Sequence, residues 1–302
     1  MTIDRTRRDI LAATLSMAVA PIGRVFAQVQ PGPSPVEQLA ALERRHGGRL
    51  GVAILNADSG RRINHRGEER FPMCSTFKWL AAALVLSRVD RGEEQLDRRV
   101  VFGKDDLVFH SPVTGQRVGA PGMTMAELCH AAITVSDNTA ANLLLASFGG
   151  PAGLTAFARS LGDTRTRLDR IEPELNQALP GDPRDTTTPA MMLADMRALL
   201  LDDVLSTASR TRLGDWLVAN RTGDERLRAG FPPGWRVGDK TGTSNNGITN
   251  DVAIAWPPGR GPLLVAAFYD VRDATSEQRN AVLADVGRIV VALWEARRLP
   301  TR

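Results

Sequence analysis

The sequence runs to 302 residues, enough for one large domain or two smaller ones that share a core. Its 43% hydrophobic and 24% charged residues are those of a soluble globular chain, with no repeat or low-complexity segment. The net charge is only +4, because 34 acidic residues nearly balance 38 basic ones, and no basic run is interleaved with aromatics; both facts argue against a nucleic-acid surface.

At the N-terminus Arg7 and Arg8 precede a mildly apolar run, residues 10–22, and Val25-Phe26-Ala27 fits a cleavage site. Residues 1–27 therefore read as a signal peptide of twin-arginine type, which implies export of the folded chain to the periplasm or beyond. The apolar run is too short to span a membrane and contains Pro21. Its removal takes away four Arg and two Asp and leaves a mature charge of +2.

After a short Pro-rich linker, residues 36–45 read as an amphipathic helix. Leu50, Val52 and Ile54 alternate with smaller residues and end at the turn Asn56-Ala57-Asp58-Ser59-Gly60, so a strand and a returning strand at 61–65 are expected. From Ser75 the pattern becomes helical and stays so to just before Gly92. Further helical segments are expected at 125–147, 153–161, 190–201 (with Pro189 at its start) and 209–219. Strands return at 235–243, 251–256 and 263–271, and a helix over 276–298 closes the chain. This order predicts an α+β fold: an antiparallel sheet built from both chain ends, flanked by helices, with an inserted all-helical domain. The expected division is an α/β domain from 28–72 and 220–302 and a helical domain at 73–219. Cys74 and Cys129 are expected to be free, buried thiols.

Of the 38 basic residues only Lys78, Lys104 and Lys240 are lysines. Arginine cannot give up its proton in a protein, whereas a buried lysine can. Lys78 stands three residues after Ser75, on the same helical face, where its amine is able to activate the hydroxyl. A second cation nearby would favour its neutral form. Ser136-Asp137-Asn138 reads in two ways. It is either a helix-interrupting turn capped by Asp137, or a proton-relaying hydroxyl beside an amide that orients a substrate amide. Lys240-Thr241-Gly242-Thr243 joins the next motif lysine to two hydroxyls and a glycine that permits close approach of a ligand to the backbone. Glu172-Pro173-Glu174-Leu175-Asn176 lies in a loop that Arg170 and Asp185, opposite in charge, are able to close into an Ω shape over residues 170–185.

The order S-x-x-K, S-D-N, E-P-E-L-N, K-T-G resembles the class A serine β-lactamases across essentially the whole mature chain. The resemblance implies the fold shared with penicillin-binding proteins and hydrolysis of penicillins and cephalosporins, hence antibiotic resistance. It implies a Ser75 acyl-enzyme, with the oxyanion held by the backbone N–H groups of Ser75 and Thr243. Ser136 would pass a proton to the leaving nitrogen, and Glu172 with Asn176 would activate the hydrolytic water. Whether Lys78 or Glu172 deprotonates Ser75 stays open at this level. Asn138, Lys240, Thr241, Gly242 and Thr243 would meet substrate, and His110 would stand at the entrance. The arginine that many relatives carry after K-T-G is replaced by Thr249, so Arg226 is assigned to the substrate carboxylate, with Arg228 two residues away as the competitor. The partners of both family disulfides are missing, since Ser244 and Ala82 occupy those positions. No metal or cofactor is implied, and a monomer without nucleic-acid partner is expected.

A penicillin-binding peptidase or a covalent sensor would have no use for Glu172 and Asn176. The one tyrosine, Tyr269, falls in a C-terminal strand and not where the class C enzymes need theirs, and the four histidines show no zinc-ligand spacing.

Overall fold

The computed structural model describes residues 32–295. The expected signal segment lies outside them. Ser34 opens α1 (Pro35–His46) with a capping box, Glu37 N–H donating to its hydroxyl and Ser34 N–H donating back to Glu37 Oε2. Strands β1 (Arg49–Asn56) and β2 (Arg62–His65) form the expected hairpin. A two-residue strand, β3 (Phe71–Pro72), then leads through a 3-10 turn at Cys74–Thr76 into α2 (Phe77–Asp90). The middle of the chain supplies β4 (Arg99–Val100), β5 (Met123–Thr124), α3 (Met125–Thr134), α4 (Asn138–Ser147) and α5 (Gly150–Ser160). After the loop that carries Glu172 come β6 (Thr186–Thr187), α6 (Pro189–Leu200), α7 (Thr207–Val218) and the short α8 (Leu227–Gly230). The sequence then returns to sheet with β7 (Arg236–Thr243), β8 (Ile248–Trp256) and β9 (Leu263–Asp270), before α9 (Ser276–Glu295).

Both chain ends meet in one antiparallel sheet of order β2-β1-β9-β8-β7. Side chains alternate across a strand, so each strand feeds two cores. Leu50, Val52 and Ile54 of β1 join Val265 and Tyr269 of β9 beneath α1 and α9. Ala53 and Leu55, with Leu264 and Phe268, face α2 and α6. Helix α2 is buried on every side from Phe77 to Ser87, which is why its sequence is apolar all round and not amphipathic.

The structure departs from the expected elements where local polar chemistry overrides the apolar pattern. Residues 125–147 form two helices, not one. Asp137 accepts from the Ala140 N–H at 2.9 Å and starts α4, while Ser136 turns left-handed at φ 57°. Strand β8 begins at Ile248, earlier than expected, because its pairing with β7 runs out to Thr243 opposite Thr249. The two-residue pairs β3–β6 and β4–β5 are too short to leave a periodic signal. Both cysteines are free and buried. Among the described residues no single helix is long and apolar enough to cross a membrane; α4 and α5 pass only as a pair bent by 73°.

One buried pair outside the motifs makes stability depend on pH. Asp163, after α5, and Asp195, in α6, are each 1% exposed, and one oxygen of each carboxyl finds no donor among the described residues. Burial pushes the Asp195 carboxyl well above the usual carboxylate range. The Asp163 carboxylate within hydrogen-bonding reach raises it further, against the pull of Arg159. A carboxyl that holds its proton more tightly folded than unfolded costs stability progressively as pH rises above its unfolded value of about 4. Replacing Asp195 with Asn removes that titration. Thermal denaturation should therefore show the Tm of Asp195→Asn gaining on wild type from pH 5 to pH 8; a difference independent of pH would refute the assignment.

Candidate active site

The nucleophile turn follows from its flanking elements. Strand β3 delivers Met73, Cys74 adopts the left-handed region at φ 46°, and Ser75 emerges just ahead of α2. Thr76 ties the turn by donating its hydroxyl to the Met73 carbonyl at 2.8 Å. Ser75 Oγ donates to Glu172 Oε1 at 3.0 Å, and the Lys78 amine lies 2.9 Å from the same oxygen. Lys78 also donates to Asn138 Oδ1 at 2.5 Å and to the Ser136 carbonyl at 2.8 Å, with Ser136 Oγ at 3.3 Å. The i,i+3 spacing does bring Lys78 into the site, but it faces Glu172, Ser136 and Asn138.

Asp137 does structural work while its neighbours face the cavity. Besides capping α4 it accepts the N–H groups of Val113 and Thr114, each at 2.9 Å, and the Thr114 hydroxyl at 2.8 Å. That fixes the segment carrying Phe109 and His110 against the Ser136 turn. His110 lies at φ 63°, with its ring Nε2 3.0 Å from the Val135 carbonyl.

Asp185 closes the loop as the opposite charges suggest. Its carboxylate takes the Asp169 and Arg170 N–H groups at 2.8 and 2.9 Å and Arg170 Nε at 2.6 Å. Glu172 is then held at three points. Asn142 brackets its peptide, accepting its N–H and donating to its carbonyl, both at 2.9 Å, and Asn176 Nδ2 donates to Oε2 at 2.5 Å.

The last wall is β7. Gly242 approaches the nucleophile turn so closely that a Cβ there would lie 2.6 Å from the Met73 carbonyl and 3.2 Å from Thr76 N. This brings Thr243 to the same cavity as Ser75. Lys240 Nζ donates to Ser136 Oγ at 3.1 Å and to the Thr241 carbonyl at 2.8 Å. Arg226 is the arginine that faces the site, donating to Gly242 O at 3.0 Å, Asn250 O at 2.7 Å and Thr243 Oγ1 at 2.7 Å. Arg228 turns instead to Asp239. The cavity holds about 520 Å³ and is lined by Ser75, Ser136, Asn138, Asn176, Arg226 and Thr241 to Thr243, with His110 at its edge.

Both lysines are fully buried. Burial pulls the Lys78 amine below the ordinary lysine range, with Glu172 pulling it back. Lys240 is pushed well below by burial, and the Lys78 charge adds to the push. The sequence suggested a second cation as the cause at Lys78; in the structure desolvation leads there, and the repulsion between the two ammoniums is felt at Lys240.

A family model described as the β-lactamase enzyme family matches residues 34–294. The chain is 52% identical over 254 residues to the β-lactamase FAR-1 of Nocardia farcinica (strain IFM 10152), covering 84% of this chain and 81% of that protein. It is 45% identical over 287 residues to a β-lactamase of Citrobacter koseri, covering 95% and 97% respectively. An ancestral (GNCA) class A β-lactamase structure superposes with a TM-score of 0.85 at 65% identity, over 86% of this chain and 100% of that one.

The chain belongs to the class A β-lactamases. In this β-lactamase every site residue expected from the motifs lines the cavity or contacts a residue that does. Sequence reading passed over Asn142, Thr222 and Phe109. Asn142 had a faint signal, an amide four residues after Asn138 in an otherwise apolar run. Thr222, whose hydroxyl meets that of Thr241 at 2.5 Å, had none. The Gly242 contact yields a test. Gly242→Ala forces β7 off the nucleophile turn, so it should cost about 1–3 kcal/mol in denaturant unfolding and at least about tenfold in kcat/KM. Unchanged stability and rate would mean that the close approach is dispensable.

Proposed function

We propose that the β-lactamase hydrolyses the β-lactam amide of penicillins and cephalosporins through a Ser75 acyl-enzyme, conferring antibiotic resistance. The observation that carries this reading is that one oxygen, Glu172 Oε1, is met by both the Ser75 hydroxyl and the Lys78 amine. Glu172 takes the Ser75 proton as Oγ attacks the lactam carbonyl, and the ammonium of Lys78 stabilises the pair. The developing oxyanion is met by the backbone N–H groups of Ser75 and Thr243. As the carbonyl–nitrogen bond breaks, the nitrogen takes its proton from Ser136 Oγ, which the Lys78 ammonium refills at 3.3 Å, and Glu172 passes the proton it took from Ser75 to the Lys78 amine across their 2.9 Å contact, so that it is a carboxylate again. Water then attacks the ester with Glu172 as base. Asn176 supports this step, since its Oδ1 has no protein donor among the described residues and stands beside the group that holds Glu172 Oε2. Lys240, Thr241, Thr243 and Arg226 supply the cationic and hydroxyl surface for the substrate carboxylate, Asn138 orients the side-chain amide, and His110 forms the entrance.

The same reading takes the site to lie between an α/β domain (28–72 and 220–302) and a helical domain (73–219). It assigns residues 1–27 to a cleaved twin-arginine signal, the mature chain to the periplasm or exterior, and a monomeric state without nucleic-acid or membrane partners. The support is the paired Arg7-Arg8, the short apolar run and the small residual charge.

Wild type and Glu172→Ala should be followed with a chromogenic cephalosporin and a penicillin, with intact-mass detection of adducts. Rapid turnover by wild type is expected. In Glu172→Ala the buried Lys78 amine, freed of its ion pair, is left to take the Ser75 proton while deacylation loses its base, so turnover should slow about a thousandfold and a Ser75 adduct should accumulate. A stable adduct on the wild type without turnover would replace the hydrolase with a penicillin-binding protein or sensor. Lys78→Arg keeps the charge but not the compact amine, so acylation should be abolished with little change in Tm; normal acylation would remove Lys78 from the mechanism.

A further inference from the structure

Asn250 is an amide near the start of β8, at a position where its neighbours on the same face, Val252 and Ile254, belong to the apolar core against α2. It is 0% exposed. A buried amide in a strand that pairs on both sides needs a reason, because leaving water is unfavourable for a group whose bonds are incompletely replaced. Here they are incomplete: Asn250 Oδ1 finds no donor among the described residues. The amide nitrogen, by contrast, is fully engaged. It donates to the carbonyl of Pro72 at 2.8 Å and to that of Met73 at 3.0 Å.

Those two carbonyls immediately precede Cys74, whose φ of 46° is a conformation that side-chain-bearing residues rarely adopt. A strained turn persists only when its surroundings fix it. This segment is also held by the pairing of Pro72 with Thr186 across β3 and β6, by Met73 N–H donating to the Asp185 carbonyl at 2.9 Å, and by Thr76 within the turn. From the sheet, Asn250 is the side chain that grips it. The backbone of Asn250 faces the other half of the site. Its carbonyl accepts Arg226 Nη1 at 2.7 Å, and the same arginine nitrogen holds the carbonyl of Gly242, opposite Asn250 in the register.

We propose that Asn250 is a positioning residue for acylation, whose amide clamps the left-handed turn at Cys74 and so sets the Ser75 backbone N–H and hydroxyl against Thr243. Asn250 touches no reacting atom; it acts through the turn. The inference rests on the reading of Ser75 and Thr243 as the nucleophile and oxyanion pair.

The test uses the full chain with Asn250→Ala and Asn250→Asp, a penicillin substrate, and phenylboronic acid as a tetrahedral transition-state mimic. In Asn250→Ala, kcat should fall about 10- to 100-fold with KM changed less than about threefold, since displacement of the reacting groups weakens the transition state more than the ground state. Affinity for phenylboronic acid should fall in step with kcat/KM. In Asn250→Asp a carboxylate would face two carbonyls, and only its protonated form donates. The ratio of variant to wild-type activity should therefore rise as pH falls. A lower Tm with kcat and boronate affinity both within about twofold of wild type would make Asn250 a purely structural anchor and overturn the proposal. Should Asn250→Ala fail to fold, a ratio for Asn250→Asp that is flat with pH overturns it equally. Failure of the underlying reading would appear in the wild type itself, as no Ser75 adduct and no turnover, whereas failure of this inference appears only in the variants.

Discussion

Lys78 and Glu172 meet at 2.9 Å with no side-chain exposure on either partner, and most of the catalytic architecture follows from what that pair requires. Either charge sealed away alone would cost several kcal/mol even after relaxation. Their mutual attraction offsets this only when the remaining donors and acceptors are also met, and here amides meet them. Asn138 takes the lysine, Asn142 brackets the glutamate's peptide, and Asn176 reaches the second carboxylate oxygen. Neutral amides satisfy the pair without adding a charge that would displace the proton equilibrium between them. Lys240, whose proton is made easier to lose by burial and by the Lys78 charge, sits beside the pair with donors taken by the hydroxyl of Ser136 and the Thr241 carbonyl.

Holding such a pair requires groups from remote parts of the chain to converge, and they do so where regular structure is interrupted. Ser75 follows a left-handed residue, Ser136 is itself left-handed between two helices, His110 is left-handed at the entrance, and so is Asp185 at the loop's neck. Among the described residues these account for four of the six non-glycine positions with positive φ, so backbone strain is concentrated around the cavity. The sheet and α2 absorb that cost by being conventional. Their apolar faces are long, continuous and closely packed, and they hold the irregular segments in place from behind.

That contrast also explains what the sequence disclosed. Period-2 alternation in β1 and the apolar run of α2 are local signals, and they located those elements correctly. Ser75 and Lys78 were legible for the same reason, being one helical turn apart. Asp137 was legible only as an alternative, since a capping carboxylate and a continuing helix predict different paths through the same residues. Arg226 and Arg228 could not be separated by spacing; the choice is made by Asp239, which captures Arg228 and leaves Arg226 to the cavity. Asn142 and Asn250 act on partners 30 and 178 residues away, a separation that no local pattern encodes. The source of the Lys78 shift was misread for a related reason, because burial is a property of the packed molecule and not of neighbours along the chain.

The two cysteines carry a further consequence. Cys74 adjoins the nucleophile and Cys129 lies in α3, yet both are completely buried and unpaired, and burial raises each thiol far above its ordinary range. Thiolate is the form that oxidants and electrophiles attack. Among the described residues the fold therefore has no disulfide to complete, and neither cysteine presents the thiolate that an oxidant or electrophile would attack.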